Sequence, residues 1–211
     1  MGKRLFDIMF SFLGLLILLP LFAAVALLLK RDSKGPVFFR QERMGRHFKP
    51  FRIYKFRTMT ACQEERGPLI TVANDTRITR FGRFLRKSKI DELPQLLNVL
   101  KGDMSLVGPR PEVEKYAQLF RPQYEKLLTV RPGITDFASL RYSEEEGLLP
   151  LSGNWEEEYV KKILPQKIRL SLRYVENHTL FTDVSLIVKT IVRTSQTGSG
   201  QGGEWYERHS C

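Results

Sequence analysis

The residues best placed to do chemistry are Asp91 and Glu92, two adjoining carboxylates that follow directly on a run of cations. In that run Arg77, Arg80, Arg83 and Arg86 recur every third residue, and Lys87 and Lys89 close it. An acidic pair beside a basic stretch suits phosphate chemistry and metal binding. Asp91 also has a plain structural reading. Asp is a favoured helix N-cap, Pro94 is tolerated in a first turn, and Gln95 to Leu100 continues a helical pattern. A carboxylate at a helix start would set any phosphate it carried near the favourable end of the helix dipole. Arg110 lies between Pro109 and Pro111, which either hold one guanidinium in a fixed place or simply make a rigid turn. Arg131-Pro132-Gly133 repeats that theme.

These groups need elements to position them, and the sequence supplies three kinds. From Ile8 to Leu29 the chain carries no charge, and as a helix this run reaches about 33 Å, close to the depth of a bilayer's hydrocarbon layer. A signal peptide is one reading, since Lys3 and Arg4 precede the run and Ala24-Val25-Ala26 imitates a cleavage site. That site, however, lies inside the apolar run rather than after it. A straight span is another. Pro20 removes a backbone hydrogen bond deep in the run and predicts a kink. Lys3 and Arg4 before it, with Lys30, Arg31 and Lys34 after it, favour the same face for both ends. A helix that enters, bends at Pro20 and returns meets both conditions.

Val37 to Gln41 and Phe51 to Phe56 are rich in aromatic and branched residues and flank Met44-Gly45-Arg46, so they predict a β-hairpin. Residues 61–76 read as a loop around Gly67-Pro68 and Asn74-Asp75. The arginine repeat is amphipathic as a helix, with Ile78, Phe81, Phe84 and Leu85 opposite the cations. It could bind nucleic acid, form a solvated face, or lie apolar side down in a lipid interface with its arginines at phosphates. The apolar run nearby favours the last. Glu144–Glu146 and Glu156–Glu158 read as solvated faces, 158–177 and 180–194 as amphipathic helices, and the chain from Ser195 as a flexible tail.

A net charge of +11 over 211 residues calls for a polyanionic partner: nucleic acid, an anionic membrane or phosphorylated ligands. Cys62 and Cys211 show no metal spacing or disulfide framework, and His47, His178 and His209 are scattered. Neither a glycine-rich nucleotide fingerprint nor a Ser/His/Asp set is present in the sequence.

GPVFFRQERMGR, PFRIYKFRTM, DTRITRFGRFLRKSKIDELPQLLNVLKGDMSLVGPRPE and VRPGIT occur in that order, and in them the chain resembles the bacterial sugar transferases, or monotopic phosphoglycosyl transferases. The likeness is close over residues 3–136. It implies an α+β, mostly helical fold, with a re-entrant membrane helix and its flanks over 1–34, one small cytoplasmic catalytic domain over 35–194 and a tail over 195–211. It further implies a Mg2+-dependent transfer of a sugar 1-phosphate from a UDP-sugar to polyprenyl phosphate through a covalent aspartyl intermediate. Such a step opens O-antigen, capsule, exopolysaccharide or glycoprotein-glycan synthesis at the bacterial inner membrane, with downstream glycosyltransferases as partners and no nucleic acid. By the same likeness Asp91 and Glu92 are the catalytic and metal-binding dyad, and Lys55, Arg86 and Arg110 hold phosphate. The chain departs from the family pattern at Leu19-Pro20, where relatives often have Ser-Pro, and at Asp136 to Leu140, after VRPGIT. A non-catalytic membrane protein binding anionic lipid or a partner through its basic face is the competing reading.

Overall fold

The computed structural model describes residues 2–60, 75–142 and 155–197, which are mostly helical. Cys62, Cys211, His209, Glu144–Glu146 and residues 61–74 of the loop expected over 61–76 lie outside the described residues. Helix α1, Gly2–Asp32, continues through Pro20. Its buried residues Asp7, Ser11, Val25 and Leu29 form a narrow seam, because at 100° per residue they fall within about 40° of one another. Elsewhere Leu5, Phe12, Ile17 and Leu19 stand exposed. Both ends of α1 are fastened to the rest of the molecule. Arg4 donates to the carbonyls of Val99 (2.6 Å) and Leu100 (3.0 Å). At the other end, the buried Arg57 donates to the carbonyls of Leu29 (3.1 Å) and Ser33 (2.7 Å), satisfying the end of the helix.

The expected hairpin is present. Strands β1, Phe38–Met44, and β2, Pro50–Phe56, pair antiparallel from Phe38↔Phe56 to Met44↔Pro50. The arginine repeat forms a short helix, α2, Arg80–Lys87, whose start is capped by Thr79 Oγ1 accepting from Gly82 N at 2.9 Å. Its apolar side differs from the expectation of a helix lying on lipid. Leu85 is wholly buried with Val25, Leu29 and Phe56, and Phe81 packs on the same cluster; Phe84 alone of these rings is mainly exposed. The α1 seam and the hairpin use the apolar surface that the sequence had assigned to the membrane. Gly82 permits the contact, since a Cβ there would fall 2.1 Å from the Thr58 carbonyl oxygen.

A 3-10 turn, Ile90–Glu92, leads to helix α3, Gln95–Lys101. Asn98 is fully buried on α3 and substitutes for a missing strand beside β2. Its Oδ1 accepts from Tyr54 N (3.0 Å) and its Nδ2 donates to Arg52 O (2.8 Å). Strands β3, Ser105–Val107, and β4, Gly133–Thr135, then pair in parallel, a feature absent from the sequence reading. The chains touch at Gly108 and Gly133, where a Cβ on Gly133 would lie 2.0 Å from Gly108 N. Helices α4, Glu114–Leu119, and α5, Arg121–Leu127, follow β3, and α6, Phe137–Arg141, follows β4. The C-terminal part comprises α7, Trp155–Glu158, a π turn, Tyr159–Ile163, α8, Leu164–Asn177, and α9, Leu180–Thr197. Helix therefore continues past Ser195, where the tail was expected to begin. Tyr116, Tyr124, Leu127, Leu164 and Ile168 form the core between α4, α5 and α8.

Because Asn98 answers two backbone groups at once, Asn98→Ala should leave both without partners and cost about 2–4 kcal/mol. Urea unfolding of the detergent-solubilised protein measures this, and a change below 1 kcal/mol would mean that water replaces the amide.

Candidate active site

Three chain segments converge on one carboxylate. Lys55 comes from β2, Glu92 from the 3-10 turn and Arg110 from the loop after β3. Glu92 Oε1 accepts from Lys55 Nζ at 2.8 Å and from Arg110 Nη2 at 2.5 Å, while Oε2 accepts from Arg110 Nη1 at 3.2 Å. The guanidinium thus grips the carboxylate as a fork. Asn98 sets the position of Lys55 by fixing the backbone on either side of Ile53 to α3. Pro109 and Pro111 flank Arg110 as the sequence indicated.

Asp91 has a different environment. It is 6% exposed, and its Oδ1 is buried with no hydrogen-bond partner. The expected helix cap is not formed. Helix α3 starts three residues past Glu92, with Pro94 at the cap position and no side-chain cap bond. Asp91 lies instead inside the 3-10 turn, entered through Lys89 in the left-handed region at φ 55°. A non-glycine residue there costs on the order of 1 kcal/mol, which the surrounding packing must supply.

Electrostatics separate the two neighbours. Burial pushes the Asp91 carboxyl up to about 6 and the Glu92 charge adds to this, while Lys55 and Arg86 offset part of it. Burial would raise Glu92 as well, but Arg110 and Lys55 overcome it and hold that carboxyl well below its usual range. Burial also lowers Lys55, with Glu92 acting against the shift. Arg86 is placed by Thr58, whose Oγ1 accepts its Nε–H at 2.8 Å. The structure therefore gathers Asp91, Glu92, Lys55 and Arg110, and Arg86 acts on Asp91 from α2. Arg131 is directed elsewhere, donating to the Gly102 carbonyl at 2.8 Å.

Sequence reasoning missed the support behind Arg110. Glu112 is buried, accepts from Arg43 Nη1 (3.2 Å) and from the Tyr159 hydroxyl (2.6 Å), and Lys167 donates to that hydroxyl (3.2 Å). Arg43 is close enough to feel both Arg110 and Glu92. Arg43 and Glu112 lie inside the motifs quoted above, so a signal existed; Tyr159 and Lys167 carried none. The departure at Asp136 has a structural role. Asp136 is buried, caps α6 through Ser139 N (2.7 Å) and accepts from the Ser171 hydroxyl (2.5 Å). Glu156, Glu157 and Glu158 pair with Lys115, Lys161 and Lys162 at the surface, as solvated faces should.

Among the described residues no cluster of three or more His, Cys, Asp or Glu could cage a metal. Asp91 and Glu92 still offer adjacent carboxylates, one oxygen of which is unpartnered. That set fits Mg2+, which commonly takes one or two carboxylates and completes its shell with water and substrate phosphate.

A buried carboxylate with an unpartnered oxygen, set beside cations in a protein that carries a long apolar helix, suits a membrane-associated enzyme that acts on anionic substrates. The family model described as bacterial sugar transferase matches residues 1–197, and the chain belongs to that family of transferases. It is 40% identical over 206 residues to the exopolysaccharide production protein PSS of Rhizobium leguminosarum bv. phaseoli, covering 94% of this chain and 97% of that one. It is 39% identical over 201 residues to the UDP-N-acetylgalactosamine-undecaprenyl-phosphate N-acetylgalactosaminephosphotransferase of Aeromonas hydrophila. That match covers 94% of this chain but 44% of the longer relative. The UDP-glucose:undecaprenyl-phosphate glucose-1-phosphate transferase of Caulobacter vibrioides is 39% identical over 194 residues, covering 90% and 68%.

The raised Asp91 carboxyl carries a stability consequence. Above about pH 6 the folded protein bears an ionised, poorly solvated carboxylate, and this cost disappears below the ordinary carboxylate range near pH 4. Asp91→Asn should therefore stabilise the protein by roughly 1–3 kcal/mol at about pH 7.5, with the gain vanishing near pH 4. Denaturation at the two pH values checks both the sign and its disappearance.

Proposed function

We propose that the chain transfers a sugar 1-phosphate from a UDP-sugar to polyprenyl phosphate, with Asp91 as nucleophile. The single observation that carries this reading is the buried, unpartnered Oδ1 of Asp91 beside the Lys55–Glu92–Arg110 cluster. The Aeromonas and Caulobacter relatives are named for UDP-sugars and undecaprenyl phosphate, which supports the substrate class.

Asp91, ionised, attacks the sugar-linked phosphorus. An O–P bond forms, the phosphoanhydride bond breaks, and UMP departs with the bonding electrons. An oxygen of the lipid phosphate then attacks the same phosphorus, breaks the aspartyl–phosphorus bond and regenerates the carboxylate. Division into two steps lets a water-soluble donor and a lipid acceptor occupy the site in turn. Lys55, Arg86 and Arg110 hold phosphate oxygens, with Lys55 and Arg110 sharing their donors between Glu92 and the substrate. Glu92 and Asp91 would hold Mg2+, which supplies charge neutralisation on the diphosphate.

Helix α1 supports the membrane placement. Its two ends are bound by Arg4 and Arg57 to the same folded unit, and exposed leucines cover much of the rest. A helix that crossed a bilayer about 30 Å thick would carry its ends to opposite sides. Attachment of both ends to one domain supports a re-entrant helix bent near Pro20, with the catalytic domain on the cytoplasmic face of the inner membrane.

Donor alone should release UMP in a burst of up to one equivalent, and intact-protein mass spectrometry should find a sugar-phosphate adduct that Asp91→Asn lacks. UMP released only with acceptor present, and no adduct, would instead indicate direct displacement. For topology, single cysteines at positions 2 and 34 should both resist an impermeant thiol reagent in intact cells. Labelling of one but not the other would identify a span.

A further inference from the structure

A second cationic cleft lies away from the Asp91 site. It measures about 220 Å3 and is lined by Lys3, Arg4, Asp7, Arg46, Arg131 and His178, among others. Helix α3 separates the two places: its N-terminal end adjoins the turn bearing Asp91, and Arg4 binds the carbonyls of its last turn. Seven residues of helix put about 10 Å between those ends.

The charge in the cleft is unbalanced. Lys3 is matched by Asp183 at 2.5 Å. The bonds described for Arg4, Arg46 and Arg131 go to carbonyl oxygens, namely Val99 and Leu100, Thr129, and Gly102. Carbonyls occupy donors but cancel no charge, and Asp7, whose Oδ1 accepts from Leu106 N, is the one carboxylate in the lining. The positive end of the α1 dipole adds to the excess.

Apolar surface begins immediately beside these cations. Leu5, Ile8 and Met9 follow Arg4 on α1, and Leu180 and Phe181 follow His178; all five are exposed, Phe181 to 85%. The two segments meet, since a Cβ on Gly2 would contact Leu180 Cδ1 at 3.9 Å. A ligand suited to this arrangement is anionic at one end and aliphatic at the other. We infer that the cleft seats the phosphodiester head group of an anionic phospholipid, whose acyl chains lie along the exposed face of α1. Guanidinium groups take the phosphate oxygens, and the excess charge selects anionic over zwitterionic lipid. The site would fix the depth and orientation of α1 independently of the chemistry at Asp91.

The test uses the full chain in nanodiscs of phosphatidylcholine with a minor fraction of phosphatidylglycerol, read by native mass spectrometry. The wild type should retain one phosphatidylglycerol per chain, about tenfold in preference to phosphatidylcholine. Arg46 is exposed, so Arg46→Glu should preserve the melting temperature and the donor-only UMP burst while cutting that retention at least fivefold. Lys161→Glu makes the same charge change at an exposed site outside the cleft and should leave retention unaltered. Equal losses in the two variants, or equal retention of both lipids by the wild type, would overturn the proposal. So would displacement of the retained lipid by millimolar inorganic phosphate, which would make the cleft a site for free anions.

Discussion

The structure depends on the Glu92 carboxylate, because a charge largely withdrawn from water must be answered from within the fold. Lys55 and Arg110 answer it from segments 37 and 18 residues distant in sequence. Each partner lies where it does for a separate reason: Lys55 because Asn98 fastens β2 to α3, Arg110 because two prolines and the Gly108–Gly133 contact fix the loop after β3. Removing one partner of such a cluster leaves the other desolvated and unpaired, a penalty of several kcal/mol. The cluster therefore specifies the arrangement of these segments as much as it stabilises them.

Asp91 shows what that arrangement makes possible. Glu92 takes the direct ion pairs, so its neighbour is buried within reach of positive charge and yet keeps one oxygen without a bond. Full pairing would make Asp91 easier to ionise, and full isolation would leave it neutral. The observed setting lies between these limits. The left-handed Lys89 and the unpartnered Asp91 oxygen are local departures from backbone and solvation preferences at the site.

Helix α1 is both anchor and structural member. Its polar seam residues Asp7 and Ser11 face the domain, Val25 and Leu29 complete a hydrophobic cluster with Phe56 and Leu85, and the remainder presents apolar side chains outward. An exposed apolar surface and a protein-facing surface thus share one helix. The short helix α2 needs no lipid for most of its apolar side, because α1 provides the cover.

The sequence by itself determined the apolar helix, the hairpin, the C-terminal helices and the residue types of the site, since periodicity, turn residues and contiguous motifs are local properties. Asp91-Glu92 was visible as a pair, and the motifs supplied Lys55, Arg86 and Arg110. Only the tertiary structure decided what each does there. A cap reading of Asp91 was sound locally and failed because the chain turns through Lys89 and postpones the helix to Gln95. The parallel β3–β4 pair escaped notice because three-residue strands have no readable period, and their pairing is set by two glycines 25 residues apart. Tyr159 and Lys167 were invisible because a buried hydrogen bond to Glu112 is a relation between distant positions, formed only after the core has closed. Local pattern can specify elements and reactive groups, but burial and charge compensation arise from all the segments that surround a residue, and these set the different states of Asp91 and Glu92.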